Sequence, residues 1–252
     1  MTRVNILSLA RCESTNDYLR DHAADLWDQV PVLITSREQT RGRGRGENRW
    51  FSTPGAGLTS SLGIRLTTSH KIGLLSMAAA AGVADTLLEL HRADYTLKWP
   101  NDILCGGKKI AGILVENIFF GEDIFCIIGT GINLNQQEGD FPAFLQGKAI
   151  SLKMISGREY SPDGISPKVA DRLLRWIRCL RTGDTRPVLD RVKALSRGMI
   201  NQPVAFRNGS PRRIHGVFRG IRDDGGARIE VSGGREKIFY SGEILDLPHF
   251  GE

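Results

Sequence analysis

The sequence predicts an α+β protein in which a large first part of alternating strands and helices is followed by a small β-barrel. Two observations predict it. Over the first 200 residues, apolar runs of strand composition are separated by helix-patterned segments. From Pro203 the texture changes to short β-rich runs punctuated by tight turns, the pattern of a small barrel. The boundary falls near Asn201, giving domains at 1–200 and 201–252. A chain of 252 residues is long enough to hold a large core and a second, smaller one.

Val4 to Leu9 reads as a strand, and Ser14-Thr15-Asn16-Asp17 supplies N-cap chemistry for a helix of roughly three turns. Pro31 to Thr35 is a second strand and Leu58 to Leu66 a third, while Lys71 to Leu90 is a long helix rich in alanine and leucine. Tyr95 to Trp99 is a strand, and a turn falls at Cys105-Gly106-Gly107. Lys109 to Phe119 and Asp123 to Asn133 form a hairpin turning at Gly121. Residues 135–162 read as an irregular connection, and Pro167 to Leu180 and Pro187 to Leu195 as two helices. Four barrel runs follow: Val204–Arg207, Ile214–Ile221, Ala227–Val231 and Lys237–Tyr240.

Composition narrows the function classes. Hydrophobic residues make up 40% and charged residues 25%, as in ordinary globular domains. A net charge of +6 suits acidic partners without specifying nucleic acid. The four cysteines (Cys12, Cys105, Cys126, Cys179) are widely spaced, which favours reduced thiols and a cytoplasmic setting. The five histidines (His22, His70, His91, His215, His249) have no metal-ligand spacing. No run reads as a membrane span or a signal peptide.

The segment Thr40 to Trp50 is the most informative. Arg37, Arg41, Arg43, Arg45 and Arg49 fall within thirteen residues, interleaved with Gly42, Gly44 and Gly46. Alternate glycines raise the entropic cost of ordering the backbone, and arginine forks suit carboxylates and phosphates. The segment reads as an anion-binding loop that orders on its ligand. A solvated surface loop or an RNA-binding Arg/Gly segment reads almost as well. It is neither a dinucleotide fingerprint, since Glu47 stands where the last glycine belongs, nor a Walker A loop.

Three further constellations follow in order. Lys98-Trp99-Pro100-Asn101-Asp102 reads equally as a plain Asn-Asp turn at a strand end. Lys108-Lys109-Ile110-Ala111-Gly112-Ile113-Leu114-Val115-Glu116 places a glycine inside a strand, which often marks close approach by a ligand or another chain segment. Gly129-Thr130-Gly131-Ile132-Asn133-Leu134-Asn135 repeats that feature at the end of the next strand. Arg172, Arg175, Arg178 and Arg181 recur around Trp176 on a helix; a solvated face is the default, and docking of an acidic partner stays open.

Together with Glu13-Ser14-Thr15-Asn16, these motifs resemble the biotin protein ligases in type and order, from about residue 4 to the C-terminus. The resemblance implies a mixed sheet with flanking helices of the class II synthetase-like kind, then an SH3-like barrel. It implies activation of biotin with ATP to biotinyl-5'-AMP, accompanied by Mg²⁺, and transfer to a lysine of a biotin carboxyl carrier domain. A lipoate or octanoate ligase of the same superfamily and an Arg/Gly-loop RNA-binding protein are the alternatives.

By the same resemblance Ser14, Thr15 and Gln39 face the ureido head of biotin, with Asn16, Trp50 and Gly112 also in the biotin site. Arg43, Gly44 and Arg45 close over the carboxylate and phosphates, and Lys109 contacts the carboxylate and α-phosphate. Lys109, Arg45 and Arg43 are the expected catalytic set. Asn101, Asp102 and Asn133 lie on the nucleotide side, Arg212 reaches the triphosphate, and Asp102 is a candidate to orient Mg²⁺, which has no protein cluster of its own. The loop departs from the family at Arg41 and at Gly46-Glu47, where a second arginine is usual. With the first strand at Val4 there is no room ahead of it for a DNA-reading module. The expectation is a monofunctional enzyme without specific DNA or RNA binding or a membrane, with a homodimer left open.

Overall fold

Among the described residues seven strands carry the first part of the chain: β1 (Asn5–Leu9), β2 (Val32–Ser36), β3 (Gly57–Thr67), β4 (Tyr95–Lys98), β5 (Asp102–Cys105), β6 (Lys108–Phe120) and β7 (Asp123–Asn133). This computed structural model describes residues 3–67, 71–209 and 212–246. The sheet order is β1-β2-β3-β7-β6-β5-β4. It is mixed because β1 pairs parallel with β2 while the other neighbours are antiparallel. Among the described residues five helices accompany the strands: α1 (Thr15–Asp21), α2 (Leu75–Leu90), α3 (Leu152–Ser156), α4 (Pro162–Arg181) and α5 (Arg186–Leu195).

Strand alternation divides the core between the two faces of the sheet. Leu33, Leu62, Ile64, Cys126 and Ile128 join α2, α4 and α5 in the main cluster. Val32, Ile34, Phe125 and Ile127 pack instead with Leu19 of α1. The stretch Ile72–Leu90 is long and apolar enough by composition to cross a membrane, contrary to the sequence reading. Its composition follows from burial between the sheet and two helices, with Ala78, Ala79, Ala80 and Ala81 fully enclosed.

Several boundaries differ from expectation, each for a local reason. α1 has seven residues, not three turns, and ends at His22, whose Nδ1 lies 2.9 Å from the Tyr18 carbonyl. α4 begins five residues before Pro167 because Ser161 caps Gly164 and Pro162 opens the first turn. Pro167 is then accommodated inside the helix: the Ser166 hydroxyl donates to the Asp163 carbonyl at 3.3 Å, a group proline cannot serve. The connection 135–162 contains α3, capped by Ser151. Lys98 to Asp102 is the turn of a hairpin, and the second strand, β5, was not expected.

The described residues of the C-terminal part form five strands rather than four: β8 (Pro203–Arg207), β9 (Ile214–Ile221), β10 (Ala227–Val231), β11 (Arg235–Phe239) and β12 (Glu243–Asp246). Their order is β11-β10-β9-β8-β12, so among the described residues the antiparallel sheet is open at β11 and β12 rather than closed as a barrel. The SH3-like reading is consistent with it. Trp99 joins the two parts: it is 1% exposed, packs on Phe206, and donates its indole N–H to the Gly225 carbonyl at 3.1 Å.

All four cysteines are free thiols, and burial pushes the pKa of Cys126 up to about 12. His70 and His249 lie outside the described residues. The arginine row of α4 is on the sheet face opposite α1. Arg172 pairs with Glu89, Arg181 donates to the Arg65 carbonyl, and Trp176 donates to Asp85, while Arg175 and Arg178 are exposed.

Candidate active site

A cleft of about 380 Å³ opens on the α1 side of the sheet, between the Arg/Gly loop, β6, β7 and the C-terminal strands. Ser14, Thr15, Asn16, Gln39, Arg43, Gly44, Arg45, Trp50, Asn101, Asp102, Lys109 and Gly112 all line it. Residues as distant in the chain as Ser14 and Leu245 therefore converge on one cavity.

One end is a row of neutral hydrogen-bonding groups. Gln39 Oε1 accepts from the Thr15 amide at 2.8 Å and from its hydroxyl at 3.0 Å. The Ser61 hydroxyl reaches Thr15 Oγ1 at 2.7 Å and Asn16 Oδ1 at 2.6 Å. Asn16 Nδ2 donates to Glu116 Oε2 at 2.7 Å. Ser14, Thr15 and Asn16 are each 3% exposed, so this row is built into the wall rather than presented to solvent.

The middle of the cleft explains the glycines. Gly112 and Gly131 face each other across β6 and β7, and the Trp50 indole lies against both. A Cβ on Gly131 would come within 2.6 Å of indole carbons, and one on Gly112 within 3.2 Å. Gly129 makes the same room for Asn16, whose Cγ would stand 3.0 Å from an added Cβ. Close approach to a side chain, the reading that a strand glycine suggests, is what these positions provide.

The other end is cationic. Lys109 Nζ lies 2.7 Å from Asp102 Oδ1 and 5.8 Å from the Trp50 ring centre. Plain alternation would put Lys109 and Gly112 on opposite faces of β6. A β-bulge shifts the register so that Leu104 pairs with Lys109 and Ile103 with Ala111, and both residues turn to the cleft. The irregular segment behind supports this end, since Lys109 N–H donates to the Lys148 carbonyl at 2.8 Å. Burial alone would raise the pKa of Asp102, but the charges of Lys109 and Lys98 hold the carboxyl below its ordinary value.

The Arg/Gly loop is a pinned hairpin. Arg43 bridges to Arg49, and the Trp50 amide donates to the Gly42 carbonyl at 3.0 Å. Arg43 is held by Asp17 at 2.6 Å and by a fork on Glu116 at 2.8 and 3.2 Å. Burial opposes its charge, yet hydrogen bonds and charges from these two carboxylates raise its pKa. Arg45 differs: it donates to the Gly242 carbonyl at 2.6 Å and to Asn101 Oδ1 at 3.3 Å. Among the described residues no carboxylate is within ion-pair reach of it, and burial lowers its pKa against the pull of Glu243 and Asp102.

Two expected residues stand elsewhere. Asn133 is buried behind Lys109, donating to the Lys109 carbonyl at 3.3 Å and the Ile150 carbonyl at 3.1 Å. Arg212 is exposed and does not line the cleft; Arg207 of β8 does, together with Glu243, Ile244 and Leu245. The sequence reading missed Ser60, Thr130, Glu116, Arg207 and Glu243. Buried serines inside the apolar run of β3 were the available signal for the first. Nothing local marked the last, because β12 was not read as a strand.

Residues 8–133 match the Biotin/lipoate A/B protein ligase family, and residues 199–245 match the Biotin protein ligase C terminal domain. The chain belongs to this ligase family. Its relatives include the Biotin--[acetyl-CoA-carboxylase] ligase of Mycobacterium tuberculosis, 31% identical over 249 residues that cover 95% of this chain and 88% of that protein. Bifunctional ligase/repressor BirA of Bacillus subtilis is 33% identical over 216 residues, 84% of this chain and 65% of the relative, so the match spans just under two thirds of that protein's length. The fold is similar to the biotin protein ligase from Aquifex aeolicus in complex with biotin and ATP, with a TM-score of 0.77, 26% identity and coverage of 96% and 97% of the two chains.

Proposed function

We propose that this ligase-family chain is a biotin protein ligase, which activates biotin with ATP and transfers it to a lysine of a biotin carboxyl carrier domain of a carboxylase. The observation that carries the reading is the polarity of the cleft. A neutral donor–acceptor row at one end suits an uncharged ureido head, and Lys109 with Arg45 at the other suits a carboxylate meeting a triphosphate. Trp50 on its glycine shelf covers the apolar middle. A lipoyl dithiolane offers no partners for the neutral row, which favours biotin over lipoate. Arg43 and Arg45 turn into the cleft, which disfavours an RNA-binding surface.

In the first step a carboxylate oxygen of biotin attacks the α-phosphorus of ATP and pyrophosphate leaves. Two anions must approach, and fixed cations at the forming bond lower that repulsion. Lys109 is held for this by Asp102, and Arg45 by the Gly242 carbonyl and Asn101. Arg43 has its donors committed to Asp17 and Glu116, so its part is to anchor the loop. Asn133 supports the Lys109 backbone, and Arg207, paired with Glu243, brings a cation of the C-terminal strands to the cleft wall. In the second step the carrier's lysine amine attacks the acyl carbon, loses a proton, and displaces AMP.

The described residues do not form a protein-held Mg²⁺ site. Asp102 is shared by two lysines, and among the described residues no group of three or more His, Cys, Asp or Glu is gathered. An ion arriving with ATP would rest on the phosphates. The test is ATP–pyrophosphate exchange with biotin, and with lipoate and octanoate as controls. Exchange stimulated by biotin alone supports the reading; exchange with lipoate but not biotin refutes it.

A further inference from the structure

Glu116 lies beyond the cleft lining, on the same face of β6 as Gly112, and each of its oxygens is committed. Oε2 accepts from Asn16 Nδ2 at 2.7 Å and from one arm of Arg43 at 3.2 Å, while Oε1 accepts from the other arm at 2.8 Å. From Asn16 the hydrogen bonds continue through Ser61 and Thr15 to Gln39. Gln39 and Arg43 stand four residues apart at the start of the Arg/Gly loop. The row Gln39–Thr15–Ser61–Asn16–Glu116–Arg43 is therefore a circuit that leaves the loop, crosses the neutral end of the cleft, and returns to the loop.

We propose that Glu116 is a positioning residue that couples occupancy of the neutral end to closure of the Arg/Gly loop. Asn16 has one orientation in this circuit, with its oxygen toward Ser61 and its nitrogen toward Glu116. A ureido group seated against Thr15 and Asn16 stiffens that orientation, and the carboxylate passes the constraint to Arg43. Only a carboxylate can do this, because it accepts from Asn16 and from both arms of the fork at once. A glutamine has one acceptor oxygen and would present an N–H to one of two donors. Asp17 would still hold Arg43 and Arg20, so the loop would keep an anchor but lose its connection to the head site. The inference rests on the proposed reading that biotin occupies this cleft.

The experiment is cleavage by an arginine-specific protease within residues 41–49, with and without saturating biotin, beside direct measurement of biotin affinity and thermal midpoint. In the wild type, biotin should slow cleavage roughly tenfold, the worth of about one charge-assisted hydrogen bond. Glu116→Gln should bind biotin within about tenfold of wild type and show no slowing, a split that loss of general stability would not produce. Equal slowing in Glu116→Gln overturns the proposal, as does a wild type that binds biotin without slowing. A wild type that binds no biotin removes the functional reading itself. If Glu116→Gln fails to fold, Arg43→Gln at saturating biotin should lose the slowing, with Arg41, Arg45 and Arg49 left as cleavage sites; retained slowing there overturns the proposal.

Discussion

Replacing Lys109 with alanine tests chemistry and architecture together. The ammonium stands 2.7 Å from Asp102, at the cationic end of the cleft. Loss of one fixed electrostatic stabiliser of a transition state costs about 2.7–4 kcal/mol, or roughly 10²–10³ in rate. The fold should respond less. Breaking a fully buried ion pair by removing one partner costs about 3–5 kcal/mol. Lys109 is 37% exposed, however, so solvent screens the pair, and Lys98 remains 3.4 Å from the same carboxylate. The expected destabilisation is about 1–2 kcal/mol, between the buried and the exposed limits. Biotin-dependent pyrophosphate exchange and urea unfolding of the same preparation separate the two effects. Exchange within a few-fold of wild type would refute the assignment of Lys109. A stability loss as large as the fully buried limit would refute the argument that Lys98 compensates.

Three other outcomes are expected. Arg45→Gly should release preformed adenylate roughly ten- to a hundredfold faster, the worth of about 1.5–3 kcal/mol for a hydrogen bond to a charged group; an unchanged dissociation rate, with no labelling of bystander lysines on a streptavidin blot, contradicts it. Gly131→Ala should drive Trp50 off its shelf and weaken biotin binding roughly tenfold, since about 1–2 kcal/mol of packing is lost, while the midpoint of unfolding hardly moves because Trp50 sits on a loop; calorimetric titration reads the first and thermal unfolding the second. The pKa of Asp102 is depressed in the folded state, so its stabilisation is complete above its unfolded pKa of about 3.9 and is lost as pH falls through the lower folded value. Asp102→Asn should therefore lose stability less steeply than wild type below about pH 4 in urea titrations.

Much of this protein is written locally. Strand and helix types, the change of texture after Asn201, and the Arg/Gly loop follow from periodicity, glycine placement and the donor chemistry of arginine, all of which act over a few residues. Gly112, Gly129 and Gly131 also announced that something approaches the sheet closely. What approaches them, Trp50 and Asn16, was not legible, because the contact joins segments that meet only when β6 and β7 pair. The facing of Lys109 depended on a bulge, which one strand alone cannot specify since it is a mismatch between two. The different fates of Arg43 and Arg45 were likewise invisible in a repeating Gly-Arg pattern. Asp17 and Glu116 close on the first, while the second donates, among the described residues, to a carbonyl from the turn before β12 and to a side-chain amide. Sequence determines which groups are available for chemistry, because composition and local spacing are intrinsic to the chain. Tertiary packing decides which of those groups stay uncommitted, because carboxylates from distant elements reach only one arginine of the pair.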